Sequence, residues 1–218
     1  MIDLHTHSLF SDGELLPSEL IRRAVILGYQ AIAITDHVDS SNLDFVLPRI
    51  IKAGKELSDS WKIEVVPGVE ITHAHPESIA KLVKESRRLG AKIVVVHGET
   101  ITEPVFPGTN RSALMANVDI LAHPGLISEE EVILAKNKGV ALEITSRKGH
   151  SLTNGHLAKL AVKQGAKLIL NTDSHSPEDL ISIETAKNIA LGAGLSQEEF
   201  EKMRQNSFEI VKGCYISH

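Results

Sequence analysis

Short runs of apolar residues alternate along the chain with segments in which apolar residues recur every three or four positions. Several of the runs are continuous and rich in valine and isoleucine, which is typical of parallel strands buried on both faces. The runs predict seven strands, at residues 2–4, 31–35, 63–69, 92–96, 120–122, 140–145 and 168–171.

The periodic segments between these runs predict helices. Two of them open with a capping box, Ser128 with Glu131 and Ser196 with Glu199, in which each pair satisfies backbone N–H groups at the helix start. Glycines that follow several of the segments favour helix ends there. The helices are predicted at residues 18–27, 77–89, 128–138, 153–164 and 177–191, and from residue 196 onwards.

The order of the elements favours a parallel sheet, since seven strand–helix units in 218 residues give about 31 residues each, the size of one βα repeat. An open, doubly wound sheet is one alternative. A closed barrel is favoured because candidate ligands follow nearly every strand, and an eight-stranded barrel usually needs about 250 residues. We therefore predict an α/β protein, a seven-stranded (β/α) TIM-like barrel forming one domain over residues 1–218, with residues 98–108 as a loop over its mouth.

The composition is that of an ordinary globular protein, with 42% hydrophobic and 23% charged residues. The lone cysteine, Cys214, excludes an internal disulfide and a cysteine-based zinc site. A net charge of −5 and an aromatic content of 4% argue against binding of long nucleic-acid strands. No apolar run approaches the ~18 residues that span a bilayer, and the first residues lack a secretory signal pattern. We expect a cytoplasmic protein without membrane contact.

Imidazoles and carboxylates follow six of the seven predicted strands, at the face where (β/α) barrels carry their active sites. Residues i and i+2 of an extended segment point to the same side, so His5/His7 and Asp173/His175 each present two groups to one cavity. Neutral imidazoles and carboxylates are ligands of Zn, Mn and Fe. The residues at these strand ends are His5, His7, Asp12, Asp36, His37, Glu70, His97, His123, Asp173 and His175.

Other polar residues near the strand ends have open roles. Asp36 either orients a ligand or holds its loop, unless it only caps a helix or turn. The second His-X-His pair, His73 and His75, is interpreted as loop beside the proposed site. The remaining strand end carries Arg147, whose guanidinium could fork onto phosphate oxygens. Weaker candidates for substrate binding are His150 and Arg111.

Taken together, the strand-end motifs resemble those of the PHP family, named for polymerase and histidinol phosphatase. The resemblance covers residues 2 to 175 in the family's order. It implies a distorted seven-stranded barrel with a trinuclear metal site. The motifs are His5-Thr6-His7, Ser11-Asp12-Gly13, Thr35-Asp36-His37, Gly68-Val69-Glu70, His97, His123-Pro124 and Asp173-Ser174-His175.

The resemblance also implies how the ligands divide among three divalent ions, with zinc, manganese or iron as candidates. His5, His7 and Asp173 would hold the first ion, and Glu70 would bridge it to another. The second would lie among Asp12, His37 and His175. The third would be held by His97 and His123 together with Glu70. A hydroxide between the first two ions would be the nucleophile, and no side-chain catalytic residue is identified.

The surplus of positive charge supports a phosphate substrate, because three divalent ions bring six charges and the ligand carboxylates Asp12, Glu70 and Asp173 return three. We expect a phosphatase acting on a small phosphomonoester, with histidinol phosphate or a nucleotide as candidates. The alternatives are a phosphodiesterase or 3′–5′ exonuclease, an amidohydrolase-like barrel, and a non-catalytic barrel subunit of a polymerase or ribonucleoprotein assembly. The absence of a convincing bridging lysine argues against the amidohydrolase.

Overall fold

Parallel strands alternate with helices throughout the computed structural model, which describes residues 1–215. The strands are β1 (Ile2–Asp3), β2 (Ala31–Ile34), β3 (His37–Val38), β4 (Glu64–Ile71), β5 (Ile93–His97), β6 (Ile120–Ala122), β7 (Ala141–Thr145) and β8 (Leu168–Asn171). The helices are α1 (Pro17–Ile26), α2 (Leu43–Trp61), α3 (Pro76–Arg88), α4 (Thr109–Met115), α5 (Glu129–Lys138), α6 (Asn154–Gln164), α7 (Ile183–Gly192) and α8 (Gln197–Gly213).

The strands form a nearly closed barrel in the order β1-β2-β4-β5-β6-β7-β8, and every pairing is parallel. Strand β3 continues the line of β2, because β2 pairs with the first half of β4 and β3 pairs with its end. A parallel bridge between Thr6 and Ser174 brings the two edges of the sheet together. The prediction of a seven-stranded TIM-like barrel is therefore confirmed.

Two apolar layers support the barrel. Along β5, Ile93 and Val95 belong to a small buried cluster, whereas Val94 and Val96 belong to a large one that includes helix residues. Neighbouring residues of a strand point to opposite faces, so the small cluster fills the barrel and the large one lies between barrel and helices. Helix α8 packs Ile210 against the small cluster. This arrangement closes one end of the barrel with apolar side chains and leaves the polar strand ends at the other.

The helix predictions were incomplete in two places and wrong in a third. Helices α2 and α4 were not predicted; in α2, Pro48 lies inside the helix, where it removes one backbone hydrogen bond, yet the buried Val46, Leu47 and Ile50 hold the helix against the barrel. The single helix predicted at 177–191 is instead a 3₁₀ turn, Pro177–Asp179, followed by the separate helix α7. The division occurs because Ser182 caps α7 by accepting a hydrogen bond from the backbone of Thr185.

The chain passes very close to itself directly after β5, and only glycine fits there. A Cβ atom at Gly98 would lie 2.2 Å from the carbonyl oxygen of Ala122 and 2.7 Å from the Cα of Pro124. These neighbours are backbone atoms next to His123, so the close approach fixes the distance between the ends of β5 and β6.

We predict that Gly98→Ala lowers the free energy of unfolding by about 1–3 kcal/mol, because an added methyl group must push backbone apart. Chemical denaturation measures the change. Gly192→Ala is the matched control, since a Cβ there meets nothing within 4 Å and a helical glycine gains about 0.4–1 kcal/mol on such a substitution. A Gly98→Ala protein as stable as the wild type would contradict the close approach.

Candidate metal centre

The nine predicted ligand positions all lie at the open end of the barrel. His5, His7 and Asp12 follow β1, His123 follows β6, and His175 lies beyond the end of β8. The remaining positions are His37 in β3, Glu70 in β4, His97 at the end of β5 and Asp173 after β8. A cavity of about 440 Å³ is lined by several of them, together with Glu103, Arg147 and His150.

Glu70 and Asp173 lie at the centre of the group, and both side chains are almost fully buried. Glu70 Oε2 lies 3.3 Å from His5 Nε2, while its other oxygen, Oε1, lies 3.7 Å from His123 Nε2. Asp173 Oδ1 lies 3.1 Å from His7 Nε2, and its Oδ2 lies 3.6 Å from His123 Nε2. Each carboxylate therefore presents one oxygen to the His5/His7 side and the other to the His123 side.

A second group of donors forms a nearly equilateral triangle. His37 Nε2 and His175 Nε2 lie 3.4 and 3.3 Å from Asp12 Oδ1, and 3.4 Å from each other. Ligands at zinc–nitrogen distances in a tetrahedral site are separated by about 3.3 Å. His37 Nδ1 lies 2.7 Å from Glu70 Oε2, so in the tautomer that donates to this carboxylate the Nε2 lone pair faces the triangle.

Several buried polar atoms of the group have no hydrogen-bond partner among residues 1–215. A buried donor or acceptor without a partner costs roughly 1–3 kcal/mol, so such a concentration in one place points to a missing cation. The donor set, imidazole nitrogens with carboxylate oxygens, fits Zn, Mn or Fe. The atoms are His5 Nε2, His7 Nδ1 and Nε2, Glu70 Oε1, His123 Nδ1, Glu143 Oε1 and Asp173 Oδ1.

The pKa shifts of the central residues follow from burial and crowding. Burial raises the pKa of Asp173 to about 7, and the neighbouring Glu70 carboxylate contributes to the rise. Burial lowers the pKa of His7, and the charge of His37 lowers it further. Burial likewise lowers the pKa of His123, with a further contribution from His97. In the protein without metal, His7 and His123 thus favour the neutral imidazole, the form in which histidine binds a metal ion.

Two of the predicted ligand residues have strained backbones. His123 has a φ of 26° and Asp173 a φ of 54°, values that residues other than glycine rarely adopt. At each of these two residues the backbone turns sharply at the end of the preceding strand. Residues in such conformations persist where the surrounding structure holds them and are common at functional sites.

Glu143, which the sequence reasoning missed, lies beneath His5 in the middle of β7. Its Oε2 lies 2.8 Å from His5 Nδ1 and accepts a hydrogen bond of 2.8 Å from the Asn171 side chain. Burial opposes protonation of His5, but the negative charges of Glu143, Glu70 and Asp173 outweigh it and raise the pKa of this imidazole. A carboxylate behind a ligand imidazole orients the ring. The available signal was an acidic residue inside a continuous apolar run.

Asp36 holds the loop that carries Asp12, one of the roles considered for it. Its carboxylate accepts hydrogen bonds from the hydroxyl groups of Ser8 and Ser11, both at 2.7 Å, and from their backbone N–H groups. Because these partners immediately precede Asp12, the buried carboxylate sets the position of the more exposed one.

The second His-X-His pair divides between two environments. His75 caps helix α3 and is exposed. His73 lies at the cavity rim, with its Nε2 3.4 Å from Oε2 of Glu103. Glu103 belongs to the loop predicted over the mouth and was not itself predicted as a site residue.

The three predicted substrate residues lie at different depths. Arg147 lines the cavity and pairs with Asp179 at 3.0 Å. His150 is buried in a group with His97 and His123. Arg111 lies exposed on α4 and is not among the residues that line the cavity.

The chain matches the model of a known protein family over nearly its whole length. The model of the PHP domain family matches residues 3–216. The chain belongs to the PHP family. Of its relatives, an uncharacterized protein of Methanocaldococcus jannaschii is 52% identical over 201 residues, which cover 91% of this chain and 92% of the relative.

Two other PHP relatives carry functional names. The "Probable phosphatase" of Thermoanaerobacter sp. is 27% identical over 91% of this chain and 88% of its own length. The DNA polymerase/3′-5′ exonuclease PolX of Bacillus subtilis is 28% identical over 86% of this chain, which corresponds to 36% of that protein. The chain thus spans about a third of the polymerase.

Solved structures share the fold. An archaeal ribonuclease P with mature tRNA contains a chain that matches with a TM-score of 0.75 and 20% identity, over 98% of this chain and 91% of that one. The histidinol phosphate phosphatase of Lactococcus lactis, complexed with zinc, L-histidinol and phosphate, matches with a TM-score of 0.62 and 20% identity, over 89% of this chain and 94% of that one. Within the described residues, no helix is long and apolar enough to cross a bilayer.

Asp3 is buried beneath the site, and its ionisation makes the stability of the fold depend on pH. Asp3 accepts hydrogen bonds from Thr172, one of them from its hydroxyl at 2.6 Å, but burial still raises the pKa of Asp3 from 3.8 to about 6. The folded state therefore binds this proton more tightly than the unfolded state, and the stability that Asp3 contributes falls as pH rises from about 4 to about 6.

We predict that Asp3→Asn removes this loss. Between pH 4 and pH 7 in the same metal-free buffer, the wild type should lose up to about 3 kcal/mol of unfolding free energy relative to the variant. Urea denaturation at a series of pH values measures the difference. Parallel pH profiles for the two proteins would show that ionisation of Asp3 is not disfavoured in the fold.

Proposed function

We propose that this PHP protein is a metal-dependent phosphatase acting on a small phosphomonoester. The observation that carries the proposal is the concentration of unpartnered, buried imidazole and carboxylate atoms around Glu70 and Asp173. An enzyme needs such a set to hold cations, whereas a purely structural barrel has no physical use for it.

The proposed ligand sets are those that the likeness to the PHP family implies. His5, His7 and Asp173 would hold a first ion, and Glu70 would link it to another. Asp12, His37 and His175, whose donor atoms form the 3.3–3.4 Å triangle, would hold a second. His97 and His123, with Glu70 Oε1, would hold a third. When bound, the divalent ions would supply Lewis acidity that activates water and polarises phosphoryl oxygens.

The residues of the chain would prepare the site for that chemistry. The Glu143 carboxylate holds the ring of His5, and the serines around Asp36 hold the loop of Asp12. Because these supports are buried and hydrogen-bonded, the ligands need little rearrangement when cations and substrate bind.

Arg147 is the proposed phosphate-binding residue. Asp179 contacts its Nη1 and also accepts hydrogen bonds from the backbone N–H groups of His175 and Ser176. The carboxylate thereby ties the guanidinium to the segment that carries a metal ligand. A guanidinium has five N–H donors, so Arg147 retains donors for phosphate oxygens while it is held by Asp179. His150 and Arg111 remain weaker candidates for substrate contact.

The size and charge of the site support a small substrate. The cavity holds about 440 Å³, within the range of small-molecule sites. The chain carries a net charge of −5, which repels the backbone of a long nucleic acid. A small phosphorylated metabolite fits a cavity of this size and carries far fewer negative charges than a nucleic-acid strand.

We predict that the double substitution His5→Ala with His7→Ala abolishes phosphatase activity, by at least about 1000-fold in kcat/KM, because removal of two ligands empties the first position. Purified protein with Mn or Zn is assayed against a panel of phosphomonoesters. His75→Ala is the control, since this exposed ring caps a helix. A double variant that remains folded by circular dichroism and as active as the wild type would overturn the assignment.

We predict that Arg147→Gln raises KM and lowers kcat/KM about tenfold, the effect of losing roughly 1.4 kcal/mol of a charge-assisted contact with phosphate. Metal content, measured by elemental analysis, should be unchanged. An unaltered KM would remove Arg147 from the substrate site.

A second candidate is a barrel subunit of a ribonucleoprotein, favoured by the TM-score of 0.75 to the chain in the archaeal ribonuclease P structure. An electrophoretic mobility assay with ribonuclease P RNA separates the two, since the phosphatase proposal expects no shift at physiological salt. Digestion of a single-stranded oligonucleotide would favour an exonuclease instead.

A further inference from the structure

The carboxylate of Glu103, a residue of the 98–108 loop, lies among the imidazoles of His73, His97 and His150. Its Oε2 lies 3.1 Å from His97 Nε2 and 3.4 Å from His73 Nε2, while its Oε1 lies 3.4 Å from His150 Nε2. These separations match the roughly 3.3 Å between neighbouring ligands of a tetrahedral site.

His150 is held so that one ring nitrogen faces this carboxylate. The ring is buried, with 7% of the residue exposed, and its Nδ1 lies 2.7 Å from the Thr100 hydroxyl and 3.0 Å from the Thr102 hydroxyl. Both hydroxyls can accept a hydrogen bond from Nδ1–H, and in that tautomer the Nε2 carries a lone pair directed at the cavity. The orientation is that of a metal ligand with its other nitrogen anchored.

His150 also lies beside the proposed third position. Its ring stacks on His123 with centroids 4.3 Å apart, and donor atoms of His97, His123 and His150 all lie within 4.8 Å of one another. One cation among these rings would therefore be within reach of His150 as well as of the Glu103 carboxylate.

We propose that His150 and Glu103 are additional ligands of the third cation, so that this position is closed from above by the 98–108 loop. The inference rests on the metal centre proposed above and extends it beyond the nine strand-end residues. The loop would then cover the mouth when the third cation is bound, because Glu103 binds the cation while Thr100 and Thr102 of the same loop hold the His150 ring.

A loop closed over the cavity mouth would limit which phosphate esters can enter the site. Glu103 is carried by a loop without helix or strand among residues 98–108, and Glu99 ties the loop base by accepting hydrogen bonds from the backbone of Gly108 and Asn110. With its base fixed and its tip held by the cation, the loop would restrict access to the site, which favours a terminal phosphate group over the interior of a polymer chain.

The test is titration of the metal-free full-length protein with Mn²⁺ or Zn²⁺ by isothermal calorimetry, without substrate. The variants are Glu103→Gln and His150→Gln, and Glu130→Gln on α5 is the control for loss of one exposed carboxylate. We expect the third equivalent to bind at least about tenfold more weakly in both variants, because removal even of a group that orients a ligand costs 10–100-fold. The first two equivalents and the control should match the wild type.

Hydrogen exchange gives a second readout. The third equivalent of metal should slow exchange in residues 98–108 of the wild type and of Glu130→Gln, but not of Glu103→Gln. Unchanged third-site affinity in both variants, or a wild type that binds only two ions, would overturn the inference. Glu103-dependent metal binding in a protein that hydrolyses no phosphomonoester would instead refute the proposed function alone, and absence of all metal binding would refute both.

Discussion

Two buried carboxylates, Glu70 and Asp173, lie among the same imidazoles at the open end of the barrel. Burial raises the pKa of Asp173 to about 7, and the Glu70 carboxylate adds to the rise, because two carboxylates that share a buried site repel each other when both are ionised. Either protons or cations must relieve the repulsion. Since several of the surrounding ring nitrogens have no hydrogen-bond partner within residues 1–215, cations fit the arrangement better than protons do.

The nearly closed barrel brings the two carboxylates and their imidazole neighbours together. Closure by the Thr6–Ser174 bridge places the two ends of the sheet, with His5 and His7 on one side and Asp173 and His175 on the other, against each other. The strained backbones of His123 and Asp173 turn side chains inward at the points where strands end. Beneath them, Glu143 and Asp3 extend the polar network into the barrel, where each is hydrogen-bonded. The apolar filling begins only below this layer.

The strands and their order were predictable because buried parallel strands are continuous apolar runs, and His5, Glu70 and His97 follow or end such runs. Helix α2 was not, since Pro48 weakens its local pattern while tertiary packing of Val46 and Leu47 decides the outcome. Glu103 and Glu143 were missed for different reasons. Glu103 lies on a loop whose path depends on the whole fold, and Glu143 lies within a strand, where its role is set by a neighbour 138 residues away in the chain, His5.

We propose that the buried donors around Glu70 and Asp173 hold divalent cations. The most direct measurement is anomalous diffraction at the manganese or zinc absorption edge from crystals of the wild-type protein grown with that metal. The account predicts strong peaks at the centre of the Asp12–His37–His175 triangle and on both sides of the Glu70 carboxylate. A well-ordered barrel with no anomalous peak among these residues at saturating metal would contradict it.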